Sequence, residues 1–154
     1  MKGSHRVIEI AVDGVPAPRW RKRLSRFCVT ALGAAGFTEW RISLLLCGDE
    51  RIAELNGRYR GKNRPTDVLS FSSDEAGAGA VAGDIAISLD TVRRNAAAYG
   101  VSEEEELKRI TVHGILHLAG MDHGRGKGTK MLVLQEKLLE QLKTERILRE
   151  QERG

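Results

Sequence analysis

The apolar positions along this chain change period several times, and each change marks an element. Residues 7–12, VIEIAV, alternate at the two-residue period of a strand. Pro16 and Pro18 then interrupt the alternation, and a helix is expected from near Arg19 to Ala35, closed by Gly33 and Gly36. The run WRISLLLC at 40–47 predicts a second strand, buried at its centre. Asp49 then reads as the cap of a short helix, DERIAELNGRYR, with Ile52 and Leu55 on one face. Pro65 breaks the loop after it, and DVLSFS at 67–72 is a third strand.

The Gly/Ala-rich SDEAGAGAVAG leads from that strand to a fourth, GDIAIS at 83–88, so the pair reads as a hairpin. LDTVRRNAAAY is a helix ended by Gly100. The next helix opens with Ser102 and Glu105 at capping-box spacing and runs from 103 to about Ala119, with Gly120 as the left-handed residue beyond it. The acidic SEEEE lies where the helix dipole favours negative charge; that local reason suffices, and no function is assigned to it. A last helix from about Thr129 carries Met131, Leu134, Leu138 and Leu142 on one side. This order predicts an α+β fold: one domain over 1–154, a small mixed four-stranded sheet packed with about five helices, and flexible ends at 1–5 and 149–154.

Composition narrows the class. A length of 154 residues with 41% hydrophobic and 30% charged side chains suits one globular domain with a real core. No run approaches the roughly 18 apolar residues of a membrane helix, and MKGSHRVIEI lacks the apolar stretch of a secretory signal. His5 there reads as a solvated tail residue, and the expected location is the cytoplasm, with no membrane partner. Cys28 and Cys47 form no C-x-x-C pair and read as small buried hydrophobes in a reducing compartment.

The net charge of +4 is uneven, gathered at 19–26, 58–64 and 124–130. For RWRKRLSR a solvated helix face is favoured over a polyanion contact. For RYRGKNR, on a loop, the two readings balance.

Three of the four histidines fall in HGILHLAGMDH at 113–123. His113 and His117 stand one turn apart on one helix face, where two imidazoles can reach a single ion. Gly120 reverses the chain, and His123 returns as a third nitrogen ligand. Three imidazoles suit zinc, or nickel or copper less selectively, and leave a fourth position for water, the pattern of a catalytic site. The competing reading makes all three ordinary helix and loop residues. Asp122 could orient an imidazole or serve only as a turn residue. In H-E-x-x-H peptidases the residue after the first histidine is the glutamate base; here it is Gly114, which argues against proteolysis.

HGILHLAGMDH resembles the H-G-x-L-H-L-x-G-x-D-H signature of the YbeY family of bacterial endoribonucleases and rRNA maturation factors. LNGRYRGKNRPTDVLSFS is similar to that family's L-N-x-x-Y-R-x-K-x-x-x-T-D-V-L-S-F block, GDIAIS to the strand before its third helix, and Met131 and Glu136 fit its terminal helix. The matching blocks run from about Leu55 to Leu142. Ser72 stands where the family often has proline, and GRGKGTK is basic where many members are acidic.

The resemblance implies a zincin-like metal helix and one zinc ion on His113, His117 and His123. It implies Arg60 as the functionally important arginine, and Lys62 and Arg64 as weaker candidates for RNA contact. An always-charged guanidinium suits a phosphate independently, although a solvated loop charge is the plain alternative. The implied activity is zinc-dependent, single-strand-specific endoribonuclease cleavage in 16S rRNA 3′-end maturation and ribosome quality control. The implied partners are single-stranded RNA, rRNA and the ribosome or its small-subunit proteins. Two rivals stay open: a metallohydrolase acting on peptides or esters, and a non-catalytic assembly factor whose metal only staples the helix to its return loop.

Overall fold

A computed structural model describes residues 5–73, 79–121 and 127–149, and side chains 127–129 lie outside that description. Its order is β1 (Arg6–Val12), α1 (Arg21–Ala34), β2 (Glu39–Cys47), α2 (Asp49–Arg60), β3 (Val68–Ser72), β4 (Ala80–Ser88), α3 (Leu89–Tyr99), α4 (Glu103–Leu118) and α5 (Lys127–Gln141). The expected α+β fold, with a mixed four-stranded sheet and five helices, is what the described residues adopt.

The sheet runs β1-β2-β4-β3. β1 and β4 both lie parallel to the central β2, and β3 closes an antiparallel edge on β4, as the hairpin reading required. The strand period decides which face each residue meets. Trp40, Ile42, Leu44 and Leu46 of β2 are buried on one face with Val81, Ile85 and Ile87 of β4, and α1 and α4 cover them in one cluster. On the other face α2 lays Ile52 and Leu55 over Cys47, Leu69 and Ala86. Cys28 and Cys47 are free and buried, as expected, and burial pushes their thiols up to about 12 and about 11.

At one close approach between β3 and β4 the residue is glycine. A Cβ on Gly83, at φ +151, would lie 2.3 Å from the Phe71 carbonyl oxygen across the β3–β4 pair.

Three details depart from the sequence reading. Asp49 does not cap α2; Gly48 holds that position, and the Asp49 carboxylate accepts the Ser88 and Thr91 hydroxyls at 2.8 and 2.7 Å. That ties α2 to the start of α3, and with Arg94 beside it the Asp49 carboxyl is held below its usual range. β4 begins at Ala80, three residues before the expected Gly83, because AVA pairs in register with Glu39–Arg41 of β2. Finally, two glutamates of SEEEE are anchors as well as dipole partners. The capping box is made, but Glu104 also accepts the Ile147 and Leu148 N–H groups at 2.8 and 2.9 Å, and buried Glu106 pairs with Arg109. Most of the tail from 149 onward, and residues 1–4, lie outside the described residues.

Candidate metal and phosphate site

The site forms where α4 crosses the β3 edge of the sheet. α4 owes its length to a full capping box at Ser102 and an apolar face that buries Leu107, Ile110 and Ile115. Its end is a Schellman turn: Met121 N–H reaches the Leu116 carbonyl at 3.1 Å and Gly120 N–H the His117 carbonyl at 3.0 Å. Gly120 has φ +88, as the left-handed position demands, so the chain reverses where the sequence requires it to.

His113 and His117 meet on the half-buried face of that last stretch. Their Nε2 atoms are 3.1 Å apart, with the rings 4.6 Å apart and edge-on. Two nitrogens on one tetrahedral zinc, each at roughly 2.05 Å, stand about 3.3 Å apart. The observed spacing therefore fits one shared ion. Gln135 of α5 supports that fit: its Oε1 lies 2.8 Å from His113 Nδ1. That nitrogen then carries the proton, and Nε2 turns its lone pair toward His117. Gln135 is 3% exposed, a polar side chain on the apolar stripe of Met131 and Leu138. The sequence reading passed over it; a glutamine one turn after Met131 on a buried face was the signal available. His123 and Asp122 lie outside the described residues.

Gly114 proves to be a packing residue. A Cβ there would meet Ile85 at 3.3 Å and Ser70 Oγ at 3.4 Å, because this face of α4 rests on β3 and β4. The position that holds a peptidase's glutamate is turned into the sheet, where a carboxylate would find no water.

Arg60 comes from the other side. α2 ends at Gly61, and the loop beyond is pinned by buried Asn56, whose Nδ2 donates to the Arg64 carbonyl at 2.9 Å. Arg60 ends up exposed, with Nη2 donating to the Ser70 carbonyl at 2.8 Å and its guanidinium 5.2 Å from the Phe71 ring centre. Ser70 in turn donates its hydroxyl to the Gly114 carbonyl at 3.3 Å, so one β3 residue joins the arginine to the histidine helix.

The result is a cleft of about 640 Å³ whose lining includes Arg60, Lys62, Arg64, His113 and His117. Five of the six residues read from sequence as metal ligands or phosphate and RNA contacts are thus brought together, and the sixth is His123. Among the described residues Asp67 is the carboxylate of this wall; it accepts the Val68 N–H at 2.8 Å and faces Arg109 at 3.5 Å, which ties β3 to α4. Two imidazoles with converging nitrogens opposite three cations can hold a divalent metal and an oxyanion side by side.

A family model described as Endoribonuclease YbeY matches residues 9–143. A Treponema denticola protein named Endoribonuclease YbeY is 47% identical over 134 residues, covering 82% of this chain and 86% of that one. Its namesake from Treponema pallidum is 41% identical over 141 residues, covering 87% and 88%. A solution structure from Thermotoga maritima superposes with a TM-score of 0.61 at 27% identity, over 90% of this chain and 93% of that one.

Proposed function

This chain belongs to the YbeY endoribonuclease family, and from that premise we propose that it is a zinc-dependent endoribonuclease that cuts single-stranded RNA in the processing of ribosomal RNA, including maturation of the 16S 3′ end and ribosome quality control. The ribosome or its small-subunit proteins are then its working partners, and the cytoplasm its location. Among the described residues, no helix is long and apolar enough to cross a membrane. The whole chain acts as one domain, with α4 as its zincin-like metal helix.

The observation that carries the reading is the shared cleft: Arg60, from a separate element, lines the same cleft as His113 and His117. His113, His117 and His123 would hold the zinc, with Gln135 fixing the His113 ring through Nδ1. Bound there, zinc supplies Lewis acidity toward a phosphoryl oxygen and toward water. Arg60 binds the scissile phosphate and stabilises the charge that grows on it in the transition state. The Ser70 carbonyl takes one of its N–H groups and so fixes the direction of the rest. Lys62 and Arg64, exposed on the same loop, hold neighbouring phosphates.

The test is elemental analysis of the purified chain beside cleavage of single-stranded and duplex RNA, with and without chelator. Bound zinc and chelator-sensitive cutting of the single strand are expected. Equal cutting after the metal is removed would overturn the metal-dependent reading, and persistent cutting by both Arg60→Ala and His113→Ala would point to a contaminating nuclease.

A further inference from the structure

Tyr59 is a large aromatic ring that packing alone does not account for. It is 58% exposed, yet it lies 5.3 Å from Phe71 at a tilt of 60°, in the last turn of α2. Phe71 is itself faced by the Arg60 guanidinium at 5.2 Å, and Arg58 stands 6.0 Å from the Tyr59 ring centre. Aromatic rings interleaved with cations are a surface suited to an unpaired nucleobase: the ring meets the base and the cations meet its phosphates.

Charge selects the occupant. Arg58, Arg60, Lys62 and Arg64 are all exposed along this edge, which favours a polyanion. Asp84, the cross-strand partner of Phe71, and Glu9 also line the groove beneath Tyr59, so a phosphate backbone is turned away from the sheet and toward the exposed cations of α2 and its loop. Arg60 belongs to both regions. One nitrogen donates to the Ser70 carbonyl on the wall of the cleft, while the guanidinium carbon stands 5.2 Å over the Phe71 ring centre. A base resting on Tyr59 therefore sits next to whatever phosphate Arg60 holds. In a duplex each base is already stacked on its neighbours and offers no free face.

We propose that Tyr59, backed by Phe71, is a stacking subsite for one unpaired base of single-stranded RNA, adjacent to the phosphate held at Arg60, and that this subsite gives the cleft its preference for single strands. The inference rests on the endoribonuclease function proposed for the cleft.

Steady-state cleavage of an unstructured oligoribonucleotide by the metal-loaded full chain tests it, alongside binding of the matching duplex. Tyr59→Ala should raise KM about tenfold, the scale of one lost base–aromatic stack, with kcat within about threefold and duplex binding unchanged. Tyr59→Leu, which still covers Phe71 without a π face, should behave like Tyr59→Ala. Tyr59→Phe and Tyr59→Trp should keep the parent KM. A KM for Tyr59→Ala within twofold of the parent would overturn the inference alone and assign the exposed ring to a protein contact instead. A folded, metal-loaded parent that cuts no RNA would sink the endoribonuclease reading and this subsite with it.

Discussion

Gln135 and His113 are 22 residues apart in sequence and 2.8 Å apart in space, amide oxygen to Nδ1. The contact ties α5 to α4 and turns the other imidazole nitrogen, Nε2, toward His117. Gln135→Leu should therefore weaken zinc binding by about 10- to 100-fold, as losing the outer partner of a metal-bound histidine does elsewhere. Competition against a chromophoric chelator reads this directly. Unaltered zinc affinity in a folded Gln135→Leu chain would show that the contact serves packing only.

Gly114 fills a seam between α4 and the sheet, with Ile85 and Ser70 within 3.4 Å of where a Cβ would stand. Gly114→Glu, which would rebuild the peptidase motif, forces a carboxylate into a buried seam lined by Ile85 and Ser70. A loss of about 3 kcal/mol or more in urea denaturation is expected. A variant that kept the parent midpoint would mean the seam can open, and it would revive the peptidase alternative.

The local parts of this site were legible in the sequence and the long-range parts were not. His113 and His117 one turn apart, the capping box at Ser102 and the reversal at Gly120 each rest on residues within a few positions of one another, and local geometry fixes them. Gln135 on His113, Ser70 between Arg60 and Gly114, and Glu104 on Ile147 depend on which elements the fold lays together. No local period encodes those pairings. Asp49 shows the same conflict at one residue. By type it is a good helix cap, but the hydroxyls of Ser88, at the end of β4, and Thr91, in the first turn of α3, donate to its carboxylate instead.

The C-terminal segment should be acid-sensitive through Glu104. Burial opposes ionisation of this carboxylate, but the Ile147 and Leu148 N–H groups, with Lys108 and Arg146, outweigh it and hold the carboxyl below its ordinary value. A depressed folded value means the stabilisation is fully present above the ordinary glutamate range and is lost as pH falls through the folded value. Amide exchange at Ile147 and Leu148 should therefore accelerate relative to the core below about pH 4. In Glu104→Gln that acid step should vanish. An acid step of the same size in the variant would assign it to other carboxylates.

Arg60 separates phosphate chemistry from metal binding. Among the described residues its contacts are to a backbone carbonyl and a ring, and it is exposed, so its removal should leave the fold and the zinc content unchanged. Its role in the reaction is to meet charge that grows on the phosphate, an interaction stronger in the transition state than in the bound substrate. Arg60→Ala should therefore lower kcat by about 10²–10³-fold, the scale of one lost transition-state donor, with a smaller effect on KM. Arg60→Lys keeps the charge but loses the planar fork, so it should recover only part of the rate. A different pattern, with KM raised and kcat preserved, would make Arg60 a binding residue for flanking phosphates. The charge on the scissile group would then have to be met by the metal site alone.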